Sequence, residues 1–145
     1  MADLSGRTLG GFVLREPIGE GGYSVVYRCE QPLLERDAAI KVLNKRRRRN
    51  DLAQERFLRE ARLASRLKHR YAAHIYAFGI EKDDGLFWIA MELVKGITLT
   101  DWLRKRGPMP LEQFVPFFEC IAQVVQAAHK RGIVHRYLKP SNVMV

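Results

Sequence analysis

The segment His135-Arg136-Tyr137-Leu138-Lys139-Pro140-Ser141-Asn142 lies between two apolar stretches, Ile133-Val134 and Val143-Met144-Val145. The pattern predicts a short strand, a polar loop and a second short strand. Pro140 forbids a helix through it. A loop clamped in this way holds polar groups rigidly. Those groups are a cation at Lys139, a neutral amide able to ligate a metal at Asn142, and His135 with Arg136. Such a set suits phosphate and a phosphate-bound metal. Phosphoryl transfer to a hydroxyl also needs a group that orients the hydroxyl and accepts its proton, usually a carboxylate. Tyr137 stands where that carboxylate is expected.

The 145 residues suffice for one ordinary domain with a core. A net charge of +9, from 25 Lys and Arg against 16 Asp and Glu, favours anionic partners without choosing among nucleotides, nucleic acid and acidic surfaces. Cys29 and Cys120 sit in apolar segments without CxxC spacing, which predicts reduced core thiols and a cytoplasmic location. The start Met1-Ala2-Asp3-Leu4-Ser5-Gly6 lacks the apolar region of a signal peptide. No uncharged run is long enough to span a bilayer, so no membrane segment is expected.

In chain order, residues 1–11 read as a polar lead-in. A strand at 12–18 is followed by Gly19-Glu20-Gly21-Gly22-Tyr23-Ser24 and a second strand at 25–29. Glycines let backbone N–H groups approach a phosphate closely, although a plain hairpin turn would look the same. Because the glycines lead into a strand, a dinucleotide-binding fingerprint is disfavoured. Residues 37–43 form a third strand with Lys41 among apolar neighbours. That lysine either extends to solvent or is held by a carboxylate. The cationic run Lys45-Arg46-Arg47-Arg48-Arg49 reads first as a solvated loop, so a nucleic-acid partner is not expected. Asn50 or Asp51 caps a helix to about Leu67 whose apolar stripe includes Phe57, Leu58 and Ala61. Glu60 lies at the edge of that stripe, either in a surface pair or facing the sheet to hold Lys41. Strands at 74–81 and 86–94 flank a Lys82-Asp83-Asp84-Gly85 turn. An extended connector then enters a short helix near Thr98–Leu103, and a longer helix spans about 111–131. Pro116 is expected to kink that helix or delay its start. Gly132 ends it.

Taken in order, the glycine loop between strands, Ala-Ile-Lys, the helix glutamate, the connector and His-Arg-x-Leu-Lys-Pro-x-Asn resemble the first half of a bacterial-type serine/threonine protein kinase domain, over about residues 12–145. The resemblance implies an α+β fold: a kinase-like N-lobe of five antiparallel strands and one helix at 12–94, then the hinge, first helices and catalytic loop of an incomplete C-lobe at 95–145. It implies ATP and Mg2+ as cofactors and a protein Ser/Thr substrate. Gly19, Gly21 and Ser24 would cover the ATP phosphates, with Ser24 in place of a third glycine. Ile18, Val26, Ala39 and Met144 would sandwich the adenine. Met91 would be the gatekeeper, and Glu92 and Val94 would offer backbone hydrogen bonds. Lys41, paired with Glu60, would contact the α- and β-phosphates. Lys139 would sit near the γ-phosphate and Asn142 would bind magnesium. His135 and Leu138 would be structural, and Arg136 would face a phosphorylated activation loop.

Two departures bear on activity. Tyr137 replaces the family's catalytic aspartate, and a phenol of ordinary pKa about 10 is a poor proton acceptor at neutral pH. The sequence also stops before any Asp-Phe-Gly, so the main magnesium aspartate is expected to be absent. The expectation is a nucleotide-binding fragment or a non-catalytic pseudokinase module with little transfer activity. The 111–131 helix is expected to expose an apolar face and to promote self-association.

Overall fold

The structure is a computed structural model that describes residues 3–43, 50–134 and 138–145. Its β-sheet has the strands β1 (Thr8–Leu9), β2 (Phe12–Glu20), β3 (Ser24–Gln31), β4 (Arg36–Leu43), β5 (Ile75–Ile80) and β6 (Phe87–Met91). The order across the sheet is β1-β2-β3-β4-β6-β5, every pairing antiparallel. The helices are α1 (Asp51–Arg66), α2 (Leu99–Arg106) and α3 (Leu111–Lys130). The chain divides into two compact units, residues 1–66 with 73–93 and residues 67–72 with 94–145.

In the first unit, period-two alternation sorts each strand into two faces. Ala38, Ile40 and Val42 of β4 and Trp88 and Ala90 of β6 join Leu9, Phe12, Leu14, Val25, Tyr27 and Cys29 in one buried cluster. The opposite face carries Leu43, Phe87 and Ile89 against Ala53, Phe57 and Ala61 of α1. Phe57 and Phe87 meet with ring centroids 6.4 Å apart. The α1 helix starts where expected: Asn50 Oδ1 accepts from the Ala53 N–H at 3.2 Å, satisfying a first-turn donor. Trp88 is the largest side chain in its cluster, and its indole N–H donates to Glu81 at 2.8 Å. Gly10 and Gly79 make room for that indole, since a Cβ on either would overlap it.

The sheet corrects the expected strand count. It has six strands, because Thr8 and Leu9 pair with Val13 and Phe12 and Leu9 is fully buried. Thr8 and Leu9 are therefore part of the sheet, not of a lead-in. A two-residue strand carries no periodic signal that would have revealed it. Ile18 is 50% exposed and lies where β2 changes register between Leu14 and Gly19.

In the second unit, Thr98 caps α2: its hydroxyl accepts from the Asp101 N–H at 3.1 Å. Gly107 and Gly132 follow α2 and α3 with φ of 76° and 71°, the left-handed conformation glycine tolerates. Helix α3 begins at Leu111 and runs through Pro116. Its apolar face is exposed at Phe114, Val115 and Phe118, and Ala128 is its one buried residue. Phe114 and Phe118 stack on each other at 5.3 Å.

The strand-loop-strand expectation at 133–145 is also corrected. Ile133 and Val134 form no strand, and Pro140–Asn142 is a 3-10 turn. The following residues pair instead with the connector, through Leu99 N–H to Val143 O at 2.7 Å and Val145 N–H to Ile97 O at 2.8 Å. Gly96 permits this pairing with φ of 141°, and a Cβ there would strike the Val145 carbonyl. Among the described residues no helix is long and apolar enough to cross a membrane.

Candidate functional site

Most first-unit site residues come to one face of the sheet by register. Directly paired antiparallel residues point to the same side, and β3 and β4 pair Val26 with Lys41, while β4 and β6 pair Ala39 with Met91 and Lys41 with Ile89. Gly19 pairs with Val26 across β2 and β3. Val26, Ala39, Lys41 and Met91 therefore share the face on which α1 packs. Ala39 is buried, whereas Val26, Lys41 and Met91 are half-buried. A small residue beside a valine and a methionine makes a shallow apolar surface bordered by Lys41 and, opposite Ala39 on β3, by Arg28.

Lys41 reaches α1. Its Nζ donates to Glu60 Oε1 at 2.6 Å. Of the two readings of Lys41 drawn from the sequence, the paired one is seen. The side chains are 21% and 55% exposed respectively, and an ion pair this accessible contributes about 0–1 kcal/mol. Stability therefore gives little reason for a lysine in a strand centre. Its consequence is geometric: the ammonium is held at one place on the sheet.

The turn from Glu20 to Ser24 joins β2 to β3, closed by Gly21 N–H to Ser24 O at 2.8 Å. Gly19, Gly21 and Gly22 are not among the positive-φ residues. A Cβ would meet Val26 Cβ at 3.9 Å from Gly19, Ser24 O at 3.7 Å from Gly21, and nothing within 4 Å from Gly22. Neither backbone conformation nor internal crowding requires glycine at these three positions. They differ in this from Gly10, Gly79 and Gly96. What the missing side chains leave is open space over exposed backbone.

Glu92 follows β6. Its backbone N–H donates to His74 O at 2.8 Å and its Oε2 accepts from the His74 N–H at 3.2 Å. Its own backbone N–H is thus already committed. In the second unit, Val94 begins the connector and is exposed. Met144 forms an isolated antiparallel bridge with Thr98. Lys139 precedes the 3-10 turn, its side chain exposed and its carbonyl accepting from the Asn142 N–H at 2.9 Å. His135, Arg136 and Tyr137, like the basic run 45–49, lie outside the described residues.

No cluster of three or more His, Cys, Asp or Glu able to hold a metal occurs among the described residues. Asn142 would supply at most one neutral oxygen, so magnesium bound there would need phosphate oxygens and water for most of its coordination. A phosphate group suits the glycine turn, where exposed backbone lies beside a cation.

Sequence reasoning missed two contacts of the site. Arg56 of α1 donates to the Tyr23 hydroxyl at 3.3 Å. The Glu16, Arg28, Glu30, Arg15 and Asp37 side chains form an ion-pair network across β2, β3 and β4. Arg28 holds the Glu16 carboxyl below its ordinary value, and Arg15 with Arg28 does the same for Glu30. Alternating charges on neighbouring strands were the available signal for this network, but only register brings them opposite one another.

A family model described as the protein kinase domain matches residues 12–145. The serine/threonine-protein kinase PrkC of Bacillus subtilis is 34% identical over 139 residues, 96% of this chain and 21% of that protein. The serine/threonine-protein kinase pkn2 of Myxococcus xanthus is 40% identical over 136 residues, 94% of this chain and 16% of that protein. The chain thus spans a quarter or less of these relatives. A crystal structure of the Mycobacterium tuberculosis PknI kinase domain superposes with a TM-score of 0.83 at 32% identity, covering 99% of this chain and 57% of that one.

Proposed function

The chain belongs to the protein kinase family, as part of a kinase domain of the bacterial serine/threonine type, and from that premise we propose that it binds Mg·ATP and transfers phosphate poorly. The observation that carries the nucleotide half is the glycine turn. Gly19, Gly21 and Gly22 are glycines without an internal reason to be, beside a lysine that an acid holds in place. Close backbone approach to a phosphate is a reason that remains. In this reading Gly19, Gly21 and Ser24 face the phosphates and Lys41, held by Glu60, meets the α- and β-phosphates. Ile18, Val26, Ala39, Met91 and Met144 contact the base. Glu92 offers it a carbonyl and Val94 an N–H. Lys139 and Asn142 serve the γ-phosphate and its magnesium, which neutralises charge on the transferring group.

The second half rests on Tyr137. A neutral phenol where the family has an aspartate neither accepts the substrate proton well nor leaves the aspartate's space. The parent reaction is transfer of the γ-phosphate to a protein Ser or Thr. Here the surviving role is nucleotide-dependent binding, with a pseudokinase module as the form it takes. Free Cys29 and Cys120 agree with a cytoplasmic setting. The exposed α3 face would support self-association, which light scattering across a concentration series would detect.

The test is equilibrium binding of a fluorescent ATP analogue together with radiolabel transfer to a basic protein substrate, for the parent and Tyr137→Asp. Binding without transfer in the parent is expected. Absence of binding would remove the nucleotide reading, and rapid transfer by the parent would remove the impairment.

A further inference from the structure

Arg56 and Glu60 lie one turn apart on α1 and so share a face. Glu60 takes Lys41. Arg56 takes the glycine turn: its Nη1 donates to the Tyr23 hydroxyl at 3.3 Å, and its guanidinium carbon lies 5.8 Å from the Tyr23 ring centroid. Among the described residues Arg56 has no carboxylate partner, although α1 is rich in charge. Tyr23 sits between Gly22 and Ser24, in a turn whose glycines carry no side chain to anchor it. We propose that Arg56 and Tyr23 form a clasp by which α1 positions the glycine turn.

One helix then sets both elements that would face phosphate, the turn through Arg56 and the ammonium through Glu60. The proposal rests on the nucleotide reading above for its consequence, but the clasp itself is a property of the protein alone. Both residues are positioning residues, acting on the backbone N–H groups of the turn through a contact remote from any phosphate. The contact is exposed and individually weak, which fits a part that must yield when a ligand enters or leaves. It also predicts coupling: a tilt of α1 that releases Lys41 loosens the turn as well.

The experiment measures solvent exchange at the Gly21 amide by NMR in the nucleotide-free 145-residue chain, for the parent, Arg56→Ala and Tyr23→Leu. The amide of Tyr27, inside the β3 ladder, is the internal reference. Exchange at Gly21 is expected to rise about threefold to tenfold in both variants, with Tyr27 unchanged. Mg·ATP affinity should weaken by a similar factor while the melting temperature stays near the parent's. Unchanged Gly21 exchange in both variants would overturn the clasp. Faster exchange with unaltered affinity would overturn its positioning role. A parent that binds no nucleotide would remove the nucleotide reading, and Gly21 exchange would still decide the clasp. Tyr23→Leu, at an exposed site, keeps the test valid if Arg56→Ala does not fold.

Discussion

Substituting alanine at two glycines of this chain should act with opposite sign on stability. Gly79→Ala places a methyl group into the indole of Trp88, and that ring cannot easily withdraw. It is 95% buried, and its N–H is bonded to Glu81 at 2.8 Å. Overpacking of this kind costs about 1–3 kcal/mol, a fall of several degrees in melting temperature. Gly22→Ala meets nothing within 4 Å and is not at positive φ. By restricting the unfolded chain it should leave stability unchanged or add about 0.4–1 kcal/mol. Its effect belongs to the ligand. If the added methyl costs one charge-assisted hydrogen bond from the turn to a phosphate, about 1.5–3 kcal/mol is lost, which is about 10- to 100-fold in affinity. Thermal melts without nucleotide and titrations with Mg·ATP separate the two quantities. A Gly22→Ala melt as depressed as that of Gly79→Ala would make the turn glycines structural. Affinity within twofold of the parent would show that their open space serves no phosphate.

The ion-pair network on β2, β3 and β4 gives a pH dependence. Glu16 and Glu30 have lowered values in the folded chain, so their contribution is present above the ordinary glutamate range and is lost as pH falls through the folded values, from about 4 downward. Melting temperature should therefore fall more between pH 6 and pH 3 in the parent than in Arg28→Met, and equal falls would refute the linkage. Burial pushes the Cys29 thiol up to about 11, so a thiol reagent at pH 8 should modify Cys120 first. Equal rates in the folded chain would contradict this. Thr98→Ala removes the hydroxyl that caps α2 and should cost about 1 kcal/mol, read as lower protection of α2 amides. Unchanged protection would show that the cap is not needed.

The elements along this chain were readable because the residues that make them are local. Short apolar runs bounded by turn residues marked β2 to β6, and Asn50 or Asp51 marked the start of α1. The Lys41–Glu60 pair could be weighed as one of two options because a lysine inside an apolar strand calls for a partner. The order of the motifs then carried the family. What escaped reading was settled by distant partners. Thr8–Leu9 is too short for a period, and only its pairing with β2 makes it a strand. Residues 143–145 are apolar whichever neighbour they pair with, and Gly96 decides for the connector by clearing the Val145 carbonyl. The Arg56–Tyr23 contact joins residues 33 positions apart, which no propensity or periodicity reports. The glycines show the same limit: in sequence Gly22 and Gly79 look alike, and only Trp88 tells them apart.

The most direct test of the central claim, a nucleotide site built on the glycine turn and the Lys41–Glu60 pair, is a thermal melt of the chain with and without Mg·ATP beside Lys41→Met. Ligand at about 100 times its dissociation constant adds about 2.7 kcal/mol to the folded state. The parent should melt several degrees higher with Mg·ATP, and Lys41→Met should melt at the same temperature with and without it. A parent transition that Mg·ATP does not move, or an equal rise in Lys41→Met, would contradict the account.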